Sequence, residues 1–159
     1  RLSLSVPQGA ATTAGQCASA SQQVKVMPGL RRYELSFWHR DQYWNTAAFR
    51  NFHSKQVLID GEPVYTVDVT DRYGHKWLQG ALLQGPIDVT EVVSGKTSVE
   101  LTFRLCETNN VTNLPVDVGI DHIESIGLLI HNPGFEEPTG WHLSSDGAVR
   151  AALDIVHGP

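Results

Sequence analysis

Between Tyr33 and Arg40 the chain alternates without a break. Tyr33, Leu35, Phe37 and His39 fall on one side of an extended backbone, and Glu34, Ser36, Trp38 and Arg40 on the other. Side chains of a strand alternate with period two, so this stretch predicts a half-buried strand that sends an indole and a guanidinium outward. The same period returns in Leu2–Val6, Gln23–Val26 and Val64–Thr70, and Gln56–Asp60 reads as a strand that forms a hairpin with the last of these. It is clearest from Ser98 to Leu105, where Val99, Leu101, Phe103 and Leu105 face in and Glu100, Thr102 and Arg104 face out. A Val/Ile-rich run, Val116–Ile130, closes the series. Turn residues at 27–29, 61–63, 71–74 and 94–96 separate these segments. Pro7–Ala20 reads as a loop by its Gly, Ala, Thr and Ser content. Asp41–Ser54, which carries Tyr43, Trp44, Phe49 and Phe52 without either period, reads as a long loop over one end or face. Only Asp88–Glu91, an acid at the capping position with a Glu three residues on, suggests a helical turn. Short strands at this spacing predict an all-β chain, an antiparallel two-sheet β-sandwich of jelly-roll type.

With 159 residues the chain suits one domain able to bury a sizeable core. Its formal charge of −5 argues against nucleic acid as a partner, and no apolar run is long enough to predict a membrane span. The sequence opens on Arg1 in what reads as mid-strand, the start expected of a mature or excised piece. Two cysteines occur, Cys17 and Cys106, each beside a strand-like run. Paired, they would close a long loop, worth more than about 4 kcal/mol in the chain-entropy account, and would imply an oxidising, extracellular compartment. The alternative is two separate buried thiols. Asn110-Val111-Thr112 is an N-glycosylation sequon.

Sugars offer C–H faces and a rim of hydroxyls, so their sites pair an aromatic platform with polar side chains. Trp38 and Arg40 share the outward phase, and Arg104 and Asp117 fall outside the inward phase of neighbouring strands. Together they are candidate ligand-binding residues; the other reading is a Trp38 covered by the 41–54 loop beside ordinary surface ion pairs. Trp44, Phe49, Phe52 and His53 form a second candidate group in that loop, where aromatics also serve as pins. Trp77, after a Gly-containing turn, could line one end of a cleft. Seven histidines (39, 53, 75, 122, 131, 142 and 157) show no transition-metal spacing. No pair of carboxylates, nucleophile elbow or phosphate loop marks an enzyme, so a non-catalytic role is expected.

Four stretches together resemble a known family. They are Val-Met-Pro-Gly-x-x-x-Tyr-Glu-Leu-Ser-Phe-Trp-x-Arg (26–40), Gln-Val-Leu-Ile-Asp-Gly (56–61), Leu-Thr-Phe-Arg-Leu followed by Gly-Ile-Asp-His-Ile (101–105 and 119–123), and Asn-Pro-Gly-Phe-Glu-x-x-x-Gly-Trp (132–141). They look like the galactose-binding-like jelly rolls of carbohydrate-binding modules appended to glycoside hydrolases. In such modules the Asn-x-Gly-Phe-Glu stretch opens the domain, whereas here it follows Asp121. The resemblance therefore divides the chain into a body, 1–130, and a segment, 131–159, that looks like the opening strands of a module. Three arrangements would account for that order: a permuted or excised single module, the start of a following module, or donation of the segment to a neighbouring copy. All three predict strands within 132–159. The resemblance also implies a structural calcium held by Glu136 and Asp121, although His122 replaces the second acid usual beside Asp121. What it implies overall is a secreted module that binds a glycan or polysaccharide. The alternative is a structural repeat of a surface or filamentous protein that self-associates through its C-terminal segment.

Overall fold

A computed structural model describes residues 1–43, 50–70, 82–113 and 115–155. Thirteen short strands and one helical turn make up the described chain. In order they are β1 (Leu2–Val6), β2 (Ala11–Thr12), β3 (Cys17–Val26), β4 (Glu34–Tyr43), β5 (His53–Ile59), β6 (Glu62–Asp68) and β7 (Leu82–Asp88). Then come α1 (Thr90–Val93), β8 (Ser98–Glu107), β9 (Val111–Thr112), β10 (Val116–Ile126), β11 (Leu128–Leu129), β12 (His142–Ser144) and β13 (Arg150–Leu153). The chain is thus nearly all-β, and its sheets are antiparallel.

One sheet has the order β13-β1-β10-β4-β7, and a second runs β11-β3-β8-β5-β6 with β12 also paired to β3. β2 and β9 form a small separate ladder. The inward residues of the two large sheets meet in one core, giving a sandwich-like arrangement. Phe37 of β4 stands edge-to-face on Phe103 of β8, ring centroids 5.3 Å apart, and Phe103 is met in turn by Trp141 at 5.9 Å. Each of these rings removes a large apolar surface from water and takes the offset geometry that aromatic quadrupoles favour.

Several elements differ from the sequence expectation for identifiable reasons. The expected loop 7–20 contains the first residues of β3, because Ala18 and Ala20 are fully buried and their small size disguised a period-two strand. The expected loop 41–54 is entered by β4 up to Tyr43 and left by β5 from His53. There the inward positions are polar, so the alternation of apolar and polar residues is lost while the alternation of direction persists. The β5–β6 turn lies at Asp60-Gly61, both at positive φ, rather than at 61–63. Gly61 supplies that conformation without a Cβ penalty, as a two-residue hairpin turn demands. The helical turn differs from expectation: its N-cap position is Val89, which makes no side-chain cap bond, and Asp88, one residue earlier, accepts at Oδ1 from the N–H and the hydroxyl of Thr90 at 3.0 and 2.6 Å.

The segment after Ile130 packs into the same core. Phe135 is fully buried, Trp141 nearly so, and the Trp141 indole N–H donates to Asn132 O at 3.0 Å. β12 pairs with β3 and β13 pairs with β1, so this segment contributes a strand to each large sheet of its own chain. Asn132 holds the loop between. Its Nδ2 donates to Glu137 O and Thr139 O, and its Oδ1 accepts from the N–H groups of Glu136 and Glu137.

Candidate functional site

Strand β4 lies between β10 and β7, and its direction of alternation decides which side chains reach solvent on this sheet. Leu35, Phe37 and His39 point into the core; Trp38 points out and is 37% exposed. Its cross-strand partners are Asp121 on β10 and Leu83 on β7, the latter 48% exposed. A bulge in β10 begins at Asp121, where His122 takes positive φ, and it ends the regular pairing beside the indole. Two residues on, Arg40 is half-buried and sits opposite Gly119. A Cβ at Gly119 would lie 3.0 Å from Nη1 of Arg1, so the guanidinium lies close over the backbone there and would have to shift by a few tenths of an ångström to admit a side chain.

Arg1 organises the rest of this face. Its Nη2 donates to Asp117 Oδ2 at 3.2 Å and its Nε to Asp154 Oδ2 at 2.8 Å, while Ser3 Oγ donates to Asp117 Oδ1 at 2.6 Å. Partial burial works against the Arg1 charge, but Asp117 and Asp154 outweigh it and hold the guanidinium above its ordinary value. The outer face of this sheet therefore carries an exposed indole, a carboxylate and an arginine beside it, and a fixed Arg1–Asp117 pair. Such a surface can stack against an apolar ring face and hydrogen-bond its rim.

The other predicted residues go elsewhere. Arg104 lies on β8 of the second sheet and donates twice to Gln56 Oε1, at 3.0 and 2.6 Å. Its outward phase is as expected, but it shares no face with Trp38, because a sequence carries phase and not sheet membership. Phe52 is half-buried and its carbonyl accepts from Thr108 N at 2.8 Å. His53 is the first residue of β5 and is fully buried, not part of a surface loop. Trp44, Phe49 and Trp77 lie outside the described residues. Asn110 is exposed, with its Oδ1 accepting from Ala14 N at 3.0 Å. Cys17 and Cys106 are cross-strand partners of β3 and β8 and form a disulfide.

Asp121 lies on β10 and Glu136 in the loop after β11. Asp121 Oδ1 accepts from the N–H of His122, Glu136 is exposed, and two carbonyls of the 132–141 loop are met by the Asn132 amide. Among the described residues no three His, Cys, Asp or Glu side chains converge.

At one end of the core lies a polar cluster that sequence reading did not assemble. Lys55 of β5, with its side chain almost wholly buried, donates from Nζ to both oxygens of Asp41 on β4, at 2.8 and 2.7 Å. The same Nζ is 2.7 Å from His39 Nδ1. Burial pushes the Asp41 carboxyl upward, but Lys55 and His39 outweigh it and leave Asp41 below its ordinary range. Farther along, His53 Nδ1 meets Glu107 Oε1 at 2.9 Å, Thr12 donates to Glu107 Oε2 at 3.0 Å, and Asn113 donates to Thr12 Oγ1 at 2.9 Å. The signal was present in the sequence. His39 and Asp41 keep the phase of Leu35 and Phe37, and His53 and Lys55 keep that of Val57 and Ile59.

No helix among the described residues is long and apolar enough to cross a membrane. No family model matches the sequence, and no curated protein matches it.

Proposed function

We propose that this chain is a non-catalytic carbohydrate-binding module, a galactose-binding-like jelly roll that holds a secreted polypeptide on a glycan or polysaccharide. The observation that carries the reading is the exposed Trp38 on the outer face of β4, with Asp121 directly across on β10 and Arg40 two residues along. An indole stacks on the C–H face of a pyranose, while a carboxylate and a guanidinium accept from and donate to its hydroxyls. Holding an attached polypeptide at its substrate raises effective concentration without any chemistry. The Cys17–Cys106 disulfide suits an oxidising, extracellular setting. The test is a glycan array that includes neutral, acidic and insoluble polysaccharides. Retention on at least one class is expected, and retention on none would overturn the reading.

A second reading, a structural repeat that assembles by strand exchange, is favoured by one feature. Among the described residues β13 ends the strand order of its sheet, paired with β1 alone. The same pairing made with β13 of another copy would link chains. Light scattering across a wide concentration range distinguishes the two: particles larger than a monomer are expected for strand exchange, and a monomer at every concentration would remove it.

A further inference from the structure

Lys55 and Asp41 face each other across the gap between the two large sheets, in a setting with almost no water. The side chains of Lys55, Asp41 and His39 are 1%, 4% and 2% exposed, and Phe37 stands edge-on to the His39 ring at 5.8 Å. Contact of Nζ with both carboxylate oxygens puts it about 3 Å from the carboxyl carbon, the separation from which bound groups react. Asp41 rests as a carboxylate beside Lys55, and burial, which strips both charges of hydration, keeps the neutral form, amine beside carboxylic acid, accessible as a minor state. If Lys55 stays an ammonium, Nδ1 must accept from it and Nε2 must carry the ring proton, yet Nε2 meets no partner among the described residues. The same tautomer leaves Nδ1 able to take a proton from Nζ.

We propose that Lys55 and Asp41 condense into an intramolecular amide, a covalent tie between β4 and β5 formed without any added enzyme or cofactor. Nζ first passes a proton to the Asp41 oxygen 2.7 Å away, giving amine and acid. The amine lone pair then attacks the carboxyl carbon. As the N–C bond forms, Nζ sheds a proton to His39 Nδ1, which lies 2.7 Å from it, and His39 returns that proton to the departing hydroxyl. One N–C bond is made, one C–O bond is broken and one water leaves; nothing is oxidised or reduced. Exclusion of water from this end of the core then protects the amide from hydrolysis. The tie joins the two sheets directly, at the end where β4 passes on to β5.

Mass spectrometry of the intact, disulfide-reduced chain reads the outcome directly. The folded protein is expected to weigh about 18 Da less than its sequence, the mass of one water. Trypsin is expected to release Asp41–Arg50 joined to Asn51–Arg72, with no cleavage after Lys55. Asp41→Ala is expected to have full sequence mass. Because mass reports composition whether or not a chain folds, a destabilised variant still serves, and Lys55→Arg gives a second chain without the condensing amine. Full sequence mass for the wild-type chain after prolonged incubation in its folded state would overturn the proposal. So would a loss of the same size that persists in Asp41→Ala.

Discussion

Trp38 and Asp121 are cross-strand partners on the outer face of one sheet, while Phe37, the next residue along β4, packs on Phe103 of the other. One peptide unit therefore separates the candidate binding surface from the middle of the core. Phe103→Ala removes the ring that Phe37, Phe135 and Trp141 all touch, and should cost about 3–5 kcal/mol. Denaturant unfolding checks this: the midpoint should fall steeply, whereas Trp38→Ala should shift it little.

The loop after β11 depends on a single side chain. Asn132 sits at positive φ and bonds four backbone groups between Glu136 and Thr139. Asn132→Ala should destabilise by roughly 1–3 kcal/mol, since several of those groups lose a partner and alanine tolerates that backbone poorly. Limited proteolysis should show new cleavage within 132–141 ahead of global unfolding. Protection equal to that of the wild type would show that the loop is held by Phe135 and Trp141 alone.

Loss of the Cys17–Cys106 bond frees a loop spanning a sequence separation of 89. The chain-entropy account credits such a closure with about 4 kcal/mol or somewhat more, before native strain is subtracted. Replacing both cysteines by alanine should lower the thermal midpoint by many degrees, and dithiothreitol should do the same to the wild-type chain but not to the variant.

Asp60 makes an exposed switch of small amplitude. Its carboxylate accepts from Lys96 Nζ at 2.8 Å and from Glu100 N at 2.8 Å, and these bonds keep its pKa below the usual carboxylate range. A group depressed in the folded state contributes stability that is present above its unfolded value and is lost as pH falls through the folded one. The pair is solvent-screened, so the contribution is expected to be well under about 1 kcal/mol. Carbon-detected NMR titration should show Asp60 moving back toward the ordinary range in Lys96→Met. An unchanged titration would assign the shift to Glu100 N alone.

Much of this architecture was legible in the residues, and the gaps have physical causes. β1, β8 and β4 were readable because bulky apolar side chains alternate with polar ones along each, and the outward phase of Trp38 followed from the same pattern. The start of β3 was hidden because Ala18 and Ala20 carry too little apolar surface to stand out from a loop. Lys55, Asp41, His53 and Glu107 occupy inward positions that composition assigns to the surface; they are buried because each finds a polar partner on a neighbouring strand. Which sheet a strand joins depends on long-range pairing, and so the separation of Arg104 from Trp38 was beyond a reading by period.

The glycan-binding account is tested most directly by comparing Trp38→Ala with Arg104→Ala, two changes on the outer faces of opposite sheets, in titrations of whichever glycan the array retains. Trp38→Ala should weaken binding roughly tenfold or more, about 1.4 kcal/mol, and Arg104→Ala should leave it unchanged. Wild-type affinity in Trp38→Ala would contradict the account, because the indole between Asp121 and Leu83 would then be no part of the surface the sugar meets.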